Sequence, residues 1–311
     1  MKDKPAFGID LGGTKTEGIV LGAGDEIRAR YRVATVPGSY ADTLTTIRDL
    51  VERLERESGS KCTHLGVGIP GSVSPQTGRV RNANSTWING QLLEQDLQAA
   101  MGRPVRLEND ANCLALSESR DGAAKGVSSV FAVILGTGVG GGFVMNGQLF
   151  RGANRLAAEW GHVPLKHEDK PIGRCFCGKE NCIERALSGP GILRAYKAAG
   201  GTALERVEQL QSLANGGDPL ARQVLERHRE QLAAALGMLV NILDPAVFVL
   251  GGGVSLLPGL AEALPDLLRP HIFAPSNDRP QIDIRLAKWG DSSGVLGAAR
   301  LWDEQSGREK G

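Results

Sequence analysis

A two-part α/β fold built by internal duplication is predicted from three observations. A strand, a Gly/Thr turn and a second strand follow one another at residues 6–21, and the same pattern returns at 130–145. A third glycine run, Gly251-Gly252-Gly253, also follows a short apolar stretch. Helically spaced apolar residues alternate with short buried-strand patterns between these turns, as in α/β proteins. Self-similarity of this kind is a fold-level signal. Two similar halves are expected to face each other across a cleft, each offering a glycine hairpin.

In order, Ala6 to Asp10 reads as a buried strand ending in an acid, Leu11 to Lys15 as a turn, and Thr16 to Leu21 as the returning strand. Leu44, Ile47, Leu50, Val51 and Leu54 mark a helix over 43–57 with charges opposite. His64 to Ile69 is a strand stopped by Pro70-Gly71. A polar loop, 82–90, precedes a helix near 92–101. Val105 to Glu108 is a strand that delivers Asn109-Asp110-Ala111-Asn112 to a helix over 111–119. Val130 to Leu135 and Phe143 to Met145 flank the second glycine turn, 136–142. Pro219 to Leu243 is a long helix with one apolar face, ended by Asp244-Pro245. Val247 to Leu250 leads into the third glycine turn, 251–255, which enters a helix. Ile282 to Leu286 is a strand, and Gly290 to Gly294 caps a last helix through Trp302. Asp303 to Gly311 is expected to be a frayed polar tail.

Composition narrows the function classes. The chain has 311 residues, 41% apolar and 23% charged, which is ordinary for a globular protein of two domains. A formal net charge of +1 gives no electrostatic case for nucleic acid or an acidic membrane surface. Met1 to Pro5 carries no signal-peptide pattern, and Leu232 to Leu243 is too short to span a bilayer. The cysteines are odd in number, with Cys175, Cys177 and Cys182 crowded in one loop and Cys62 and Cys113 in apolar surroundings, which is not a spaced, even disulfide framework. A cytoplasmic location is therefore expected.

Glycine turns after strands let backbone N–H groups approach an anion closely. Residues 8–15 are not a Walker loop, because Thr14 rather than Lys follows Gly13. Gly136-x-Gly138-x-x-Gly141 matches the dinucleotide fingerprint as a string, but a strand pattern follows it instead of a helix, so that reading is rejected. Asp10, where strand meets turn, suits a magnesium ion or merely stabilises the turn. Asp110, at a helix start, is either a routine cap or a general base on a rigid element. His162, Cys175, Cys177 and Cys182 offer one imidazole and three thiolates, a set that closes a tetrahedral zinc site with no open position. The expected zinc is a structural staple. Glu159 and Glu184 flank that loop, and with His162 they suit hydrogen bonding to polyol hydroxyls. Trp87 and Trp160 are expected to pack in the core.

Taken together, Asp10-Leu-Gly-Gly-Thr-Lys15, Gly68-Ile-Pro-Gly71, Glu108-Asn-Asp-Ala-Asn112, Leu135-Gly-Thr-Gly-Val-Gly-Gly-Gly142, Glu159-Trp-Gly-His162, the run from Cys175 to Glu184 and Gly251-Gly-Gly253 resemble the ROK family (repressors, open reading frames and sugar kinases) over essentially the whole chain. The loop 82–90 looks most like the bacterial fructokinases, or manno(fructo)kinases, of that group. Asn181 stands where the family usually has Gly, a substitution that the left-handed backbone tolerates.

The resemblance implies an actin-like ATPase fold of the hexokinase type. It implies a small α/β domain over 1–118, a larger one over 119–311 that holds the zinc loop, and a last helix packed back on the first. By that analogy ATP phosphates lie on Asp10, Gly12, Gly13, Thr14 and Lys15 and on Gly136, Thr137 and Gly138, with the adenosine near Gly251, Gly252 and Gly253. Asp110 becomes the catalytic base. Asn84, Asn109, Asp110, Glu159, His162 and Glu184 become sugar ligands, and His162 also binds zinc through its other ring nitrogen. The expected reaction is phosphorylation of fructose at its 6-hydroxyl by ATP with Mg2+, with mannose or glucose as further substrates. The family also suggests a homodimer. N-acetylglucosamine or N-acetylmannosamine kinase is the rival within the class. A sugar-responsive regulator is disfavoured by the neutral charge and by a first strand that starts at Ala6. An actin-like assembly ATPase would leave the zinc loop and Asn109-Asp110 without a role.

Overall fold

The computed structural model describes residues 4–165, 171–275, 277–278 and 280–303. Most of the expected polar tail lies outside the described residues. In chain order the elements are β1 (Ala6–Leu11), β2 (Lys15–Leu21), β3 (Ile27–Ala34), α1 (Tyr40–Ser58), β4 (Leu65–Ile69), β5 (Ser72–Val73), β6 (Val80–Arg81), α2 (Leu93–Met101), β7 (Val105–Asn109) and α3 (Asp110–Arg120). There follow β8 (Ser129–Leu135), β9 (Val139–Met145), β10 (Gln148–Leu149), α4 (Ile183–Leu187), α5 (Gly189–Ala198), α6 (Val207–Asn215) and α7 (Pro219–Leu243). The last elements are β11 (Val247–Gly251), α8 (Leu260–Leu268), β12 (Ile284–Leu286) and α9 (Ser293–Ala299).

The chain divides into two compact units. The first holds the residues up to Arg120, Gly147–Ala157 and those from Asp291 onward; the second holds Asp121–Asn146 and Ala158–Gly290. The expectation of one division near residue 118, with the last helix packed back on the first part, does not include the segment Gly147–Ala157.

Each unit has a sheet of the same design. In the first the order is β3-β2-β1-β4-β7, with β1 antiparallel to β2 and parallel to β4, which is parallel to β7. In the second, β8 is antiparallel to β9 and parallel to β11, and β11 is parallel to β12. A hairpin followed by crossover-linked parallel strands therefore occurs twice, which is the duplicated α/β architecture of the actin-like ATPase fold.

Strand β3 is not evident from the sequence pattern. Arg28, Arg30 and Arg32 alternate there with Ala29, Tyr31 and Val33, as suits an edge strand that must resist pairing with another chain. The sequence pattern likewise does not mark α4, α5 and α6, while the helix expected after the third glycine turn is α8, beginning at Leu260. Helix α7 begins where Asp218 accepts Leu220 N at 2.9 Å and Ala221 N at 3.0 Å, with Pro219 in the first turn, and ends at Asp244 in the left-handed region. Its buried face joins Leu232, Leu236 and Leu239 to Phe131, Phe248 and Leu250 of the sheet. No helix among the described residues is long and apolar enough to cross a membrane.

The last helix, α9, stops at Ala299 rather than Trp302, and packs on β1, β4 and α3 of its own unit. Glycine makes that approach possible. A Cβ on Gly8 would stand 2.5 Å from Val295 O, and one on Gly66 or Gly297 would fall on the carbonyl of Ala298 or Cys113. The backbones touch where side chains would ordinarily separate them. Gly66→Ala should therefore destabilise the protein by about 1–3 kcal/mol, read from the urea midpoint. Gly253→Ala, where a Cβ meets open space, should stay within about 0.5 kcal/mol of the parent.

Candidate active site

The first unit gathers Asp10, the turn 12–15, Asn109 and Asp110. Gly12 N donates to Lys15 O at 2.9 Å, and a Cβ on Gly12 would stand 2.7 Å from that same oxygen. The turn is pinned from behind, where Thr35 N donates to Thr14 O at 3.0 Å and Thr35 Oγ1 to Gly12 O at 2.8 Å. Lys15 Nζ lies 3.0 Å from Asp291 Oδ2, a partner the sequence did not suggest.

Asp10, the penultimate residue of β1, lies against the start of α9, where a Cβ on Gly294 would stand 2.9 Å from Asp10 Oδ2. Burial, then the Asp110 carboxylate, then that of Glu17 push Asp10 up from 3.8 to about 7, against the opposing charges of Lys15 and Arg32. This crowd of carboxylates suits a divalent cation, which would offset the repulsion.

Asn109, rather than Asp110, caps α3. Its Oδ1 accepts Ala111 N at 2.9 Å and Asn112 N at 3.1 Å, and its Nδ2 donates to Gly71 O at 3.0 Å. Asp110 Oδ1 accepts from Ala111 N at 2.8 Å, within its own turn. Glu108 supports the cap from below. Its Oε1 accepts Asn109 N at 3.0 Å and Asn112 Nδ2 at 2.9 Å, while Oε2 pairs with Arg151 from the returning segment. Arg151 is far along the chain from Glu108, and no local pattern reveals it. Asn84 is exposed in the loop 82–90. That loop is held by Asn89, whose side chain bonds both Ala83 N and Ala83 O at 2.9 Å, and by Trp87 Nε1 donating to Thr43 Oγ1 at 3.0 Å.

The second unit holds the remaining candidates. Its glycine hairpin is shorter than expected: β9 already begins at Val139, leaving Gly136, Thr137 and Gly138 as the turn, with Gly136 N donating to Gly138 O at 3.0 Å. Gly136, Thr137 and Gly253 line a cavity of about 720 Å3, together with Gly189, Arg206 and Gln211. That volume lies in the range of small-molecule sites. Gly251 and Gly252 serve the frame instead. Gly251 is the last residue of β11, and Gly252 has φ +84 and sits so close to Leu135 O that no Cβ fits.

Glu159 precedes a short 3-10 turn over Trp160–His162, where His162 N donates to Glu159 O at 3.2 Å. Trp160 is core: its Nε1 donates to Gly140 O at 2.8 Å, and its ring fills the space a side chain on Gly141 would need. The ligand atoms of His162, Cys175, Cys177 and Cys182 all lie within 4.8 Å of one another. Cys175 Sγ is 3.7 Å from His162 Nδ1, and Cys177 Sγ is 3.6 Å from Cys182 Sγ. A tetrahedron with zinc bonds of about 2.3 Å has edges of about 3.8 Å, so the four side chains fit that ion. The loop is closed by Cys175 N donating to Lys179 O at 2.8 Å and by Asn181 at φ 58. Asn181 adds what Gly could not, since its Oδ1 accepts Ile172 N at 2.8 Å. Glu184 lies in the first turn of α4, with Oε2 accepting Val139 N at 3.1 Å.

Two outcomes check these arrangements. An ionised Asp10 is penalised in the folded state, so its contribution is most favourable below pH 4 and is lost as pH rises from about 4 to 7. Asp10→Asn should therefore melt above the parent at pH 8 without added metal, and the gap should close on titrating to pH 4. For the cysteine loop, mass spectrometry of the purified chain should find about one zinc per polypeptide; none in a folded protein with titratable thiols would remove the site.

Residues 6–305 match the ROK family. The chain is 38% identical over 306 residues to an N-acetyl-D-glucosamine kinase of Haemophilus influenzae (strain 86-028NP), covering 95% of this chain and 98% of that protein. Among solved structures it resembles a ROK hexokinase from Thermus thermophilus, with a TM-score of 0.81 and 34% identity over 95% of this chain and 96% of the other. It also resembles a ROK family glucokinase from Streptomyces griseus, solved with glucose and AMPPNP, with a TM-score of 0.79 and 29% identity over 96% and 98% of the two chains.

Proposed function

This chain belongs to the ROK family, and on that premise we propose that it transfers the γ-phosphoryl group of ATP to the 6-hydroxyl of N-acetylglucosamine. The observation that carries the transfer is the first turn of α3. Asn109 supplies the cap, so the Asp110 carboxylate stands on a turn fixed by its neighbour, with its Oδ1 accepting Ala111 N. A general base requires such a placement. In this reading Asp110 takes the proton of the attacking hydroxyl as its oxygen bonds to the γ-phosphorus, and ADP leaves with the bridging oxygen. Asn109 and Glu108 position that carboxylate, and Asn109 Nδ2 keeps a second N–H for a sugar hydroxyl.

Backbone amides of the turns 12–15 and 136–138 would meet the phosphates, and the cavity lined by Gly136, Thr137 and Gly253 would take the adenosine. Asp10 would hold magnesium, directly or through water. When bound, the ion neutralises charge on the transferring group. Asn84, Glu159, His162 and Glu184 would hold sugar hydroxyls, and zinc on His162 and the three cysteines would fix the last two of these.

The sugar assignment rests on the whole-chain relatives, which are N-acetyl-D-glucosamine kinases. The fructose expectation rested on the loop 82–90, and the side chains of Trp87 and Asn89 that gave that loop its look serve its own architecture. With ATP, kcat/KM for N-acetylglucosamine should exceed that for N-acetylmannosamine, glucose, mannose and fructose by at least about tenfold, the scale that one well-placed pocket contact supplies. An ADP-release assay over that panel reads this directly, and fructose in first place would overturn it. Asp110→Asn should lower kcat by about 10²–10⁴ while sugar affinity, measured by calorimetry, stays near the parent's.

A further inference from the structure

Gly138 is a glycine for a reason that lies in another segment. Its φ is not in the left-handed region, so the backbone there does not require glycine. A Cβ on Gly138 would, however, stand 2.7 Å from Glu184 Oε2, the same oxygen that accepts Val139 N at 3.1 Å. The carboxylate occupies the place where a side chain would be. At its other oxygen, Glu184 accepts from the metal-loop thiol Cys175 Sγ at 3.7 Å.

The same stretch holds the hairpin a second time. From Cys182 the chain runs directly into α4, and Gly189 N at its far end donates to Gly136 O at 2.8 Å. Both flanks of the turn 136–138 are thus fastened to the segment between a metal ligand and Gly189. Gly136 and Thr137 line the 720 Å3 cavity.

We infer that Glu184 is a positioning residue that couples the metal loop to the nucleotide hairpin, so that zinc loading and nucleotide binding favour each other. The inference rests on the reading of the cavity as the nucleotide site. Its physical basis is hydrogen bonding. Cys182 stands two residues before Glu184 at the entrance to α4, so fixing the cysteine loop fixes the segment whose carboxylate holds Val139 N and whose continuation, at Gly189, holds Gly136 O. With Cys175 and Cys182 both fixed, Glu184 has one orientation, and the hairpin is held ready for phosphate before ATP arrives. Coupling between sites is reciprocal, so the nucleotide also protects the metal.

AMPPNP affinity, measured by calorimetry without sugar, tests this. In the zinc-loaded protein Glu184→Ala should bind AMPPNP about tenfold more weakly, whereas Glu184→Gln, which keeps an acceptor for Val139 N–H, should stay near the parent. Gly138→Ala, which displaces the carboxylate without removing it, should behave like Glu184→Ala. In the parent, saturating AMPPNP should raise the zinc affinity, read by competition with a chromogenic chelator, by a similar factor. Unchanged AMPPNP affinity in Glu184→Ala, or zinc affinity indifferent to AMPPNP, would overturn the coupling and leave the kinase reading standing. Failure of the loaded parent to bind AMPPNP at all would overturn both.

Discussion

The carboxamide of Asn109 is the bond on which the first unit's chemistry depends. One end of it closes the first turn of α3, and the other holds Gly71 O at the exit of β4. The neighbouring parallel strands β4 and β7 are thereby locked at the same edge, beside β1, whose penultimate residue is Asp10. Open parallel sheets present ligands at that carboxyl edge. Helix capping and strand termination are ordinary devices, but here one side chain does both. The effect is a fixed first turn on which the next residue, Asp110, stands. Glu108, buried beneath and paired with Arg151, makes the arrangement stiff at some cost, since a nearly buried carboxylate is stable only while its cation stays in place.

The second unit meets a similar demand differently. Its hairpin is closed through backbone, with Gly136 N donating to Gly138 O. Rigidity is brought in from elsewhere, by Gly189 and Glu184. The glycines of the chain therefore have distinct reasons behind one letter. Gly66 and Gly297 admit another backbone, Gly138 admits a carboxylate, Gly252 admits both a positive φ and a neighbouring carbonyl, and Gly253 faces open space.

The parts of the fold legible in the sequence are those written by neighbours along the chain. The duplicated hairpins, the strands flanking them, the long helix α7 and the convergence of His162 with three cysteines all follow local patterns. What could not be read depends on distant partners. Asn109 and Asp110 are equivalent as letters for a helix cap, and only Gly71 and Glu108 decide between them. Arg151 and Asp291 act on residues far earlier in the chain. Strand β3 hides because its outward face is arginine. The loop 82–90 misled for the opposite reason: it is conspicuous, but its distinctive side chains bond within their own unit and do not identify a sugar.

The close approach of α9 to the glycines of β1 and β4 has a consequence for biosynthesis. The ribosome delivers β1 to β7 and α3 early, but the helix that covers them is made only after the whole second unit has been translated. Until then the bare face of that sheet offers apolar rows with glycine gaps, a surface shaped for any helix of small residues. A nascent chain stalled before Ser293 would hold its first unit unfinished, with the risk of aggregation that exposed apolar sheet carries. The second unit closes its sheet when β11 arrives to pair with β8, and needs no segment beyond Gly290.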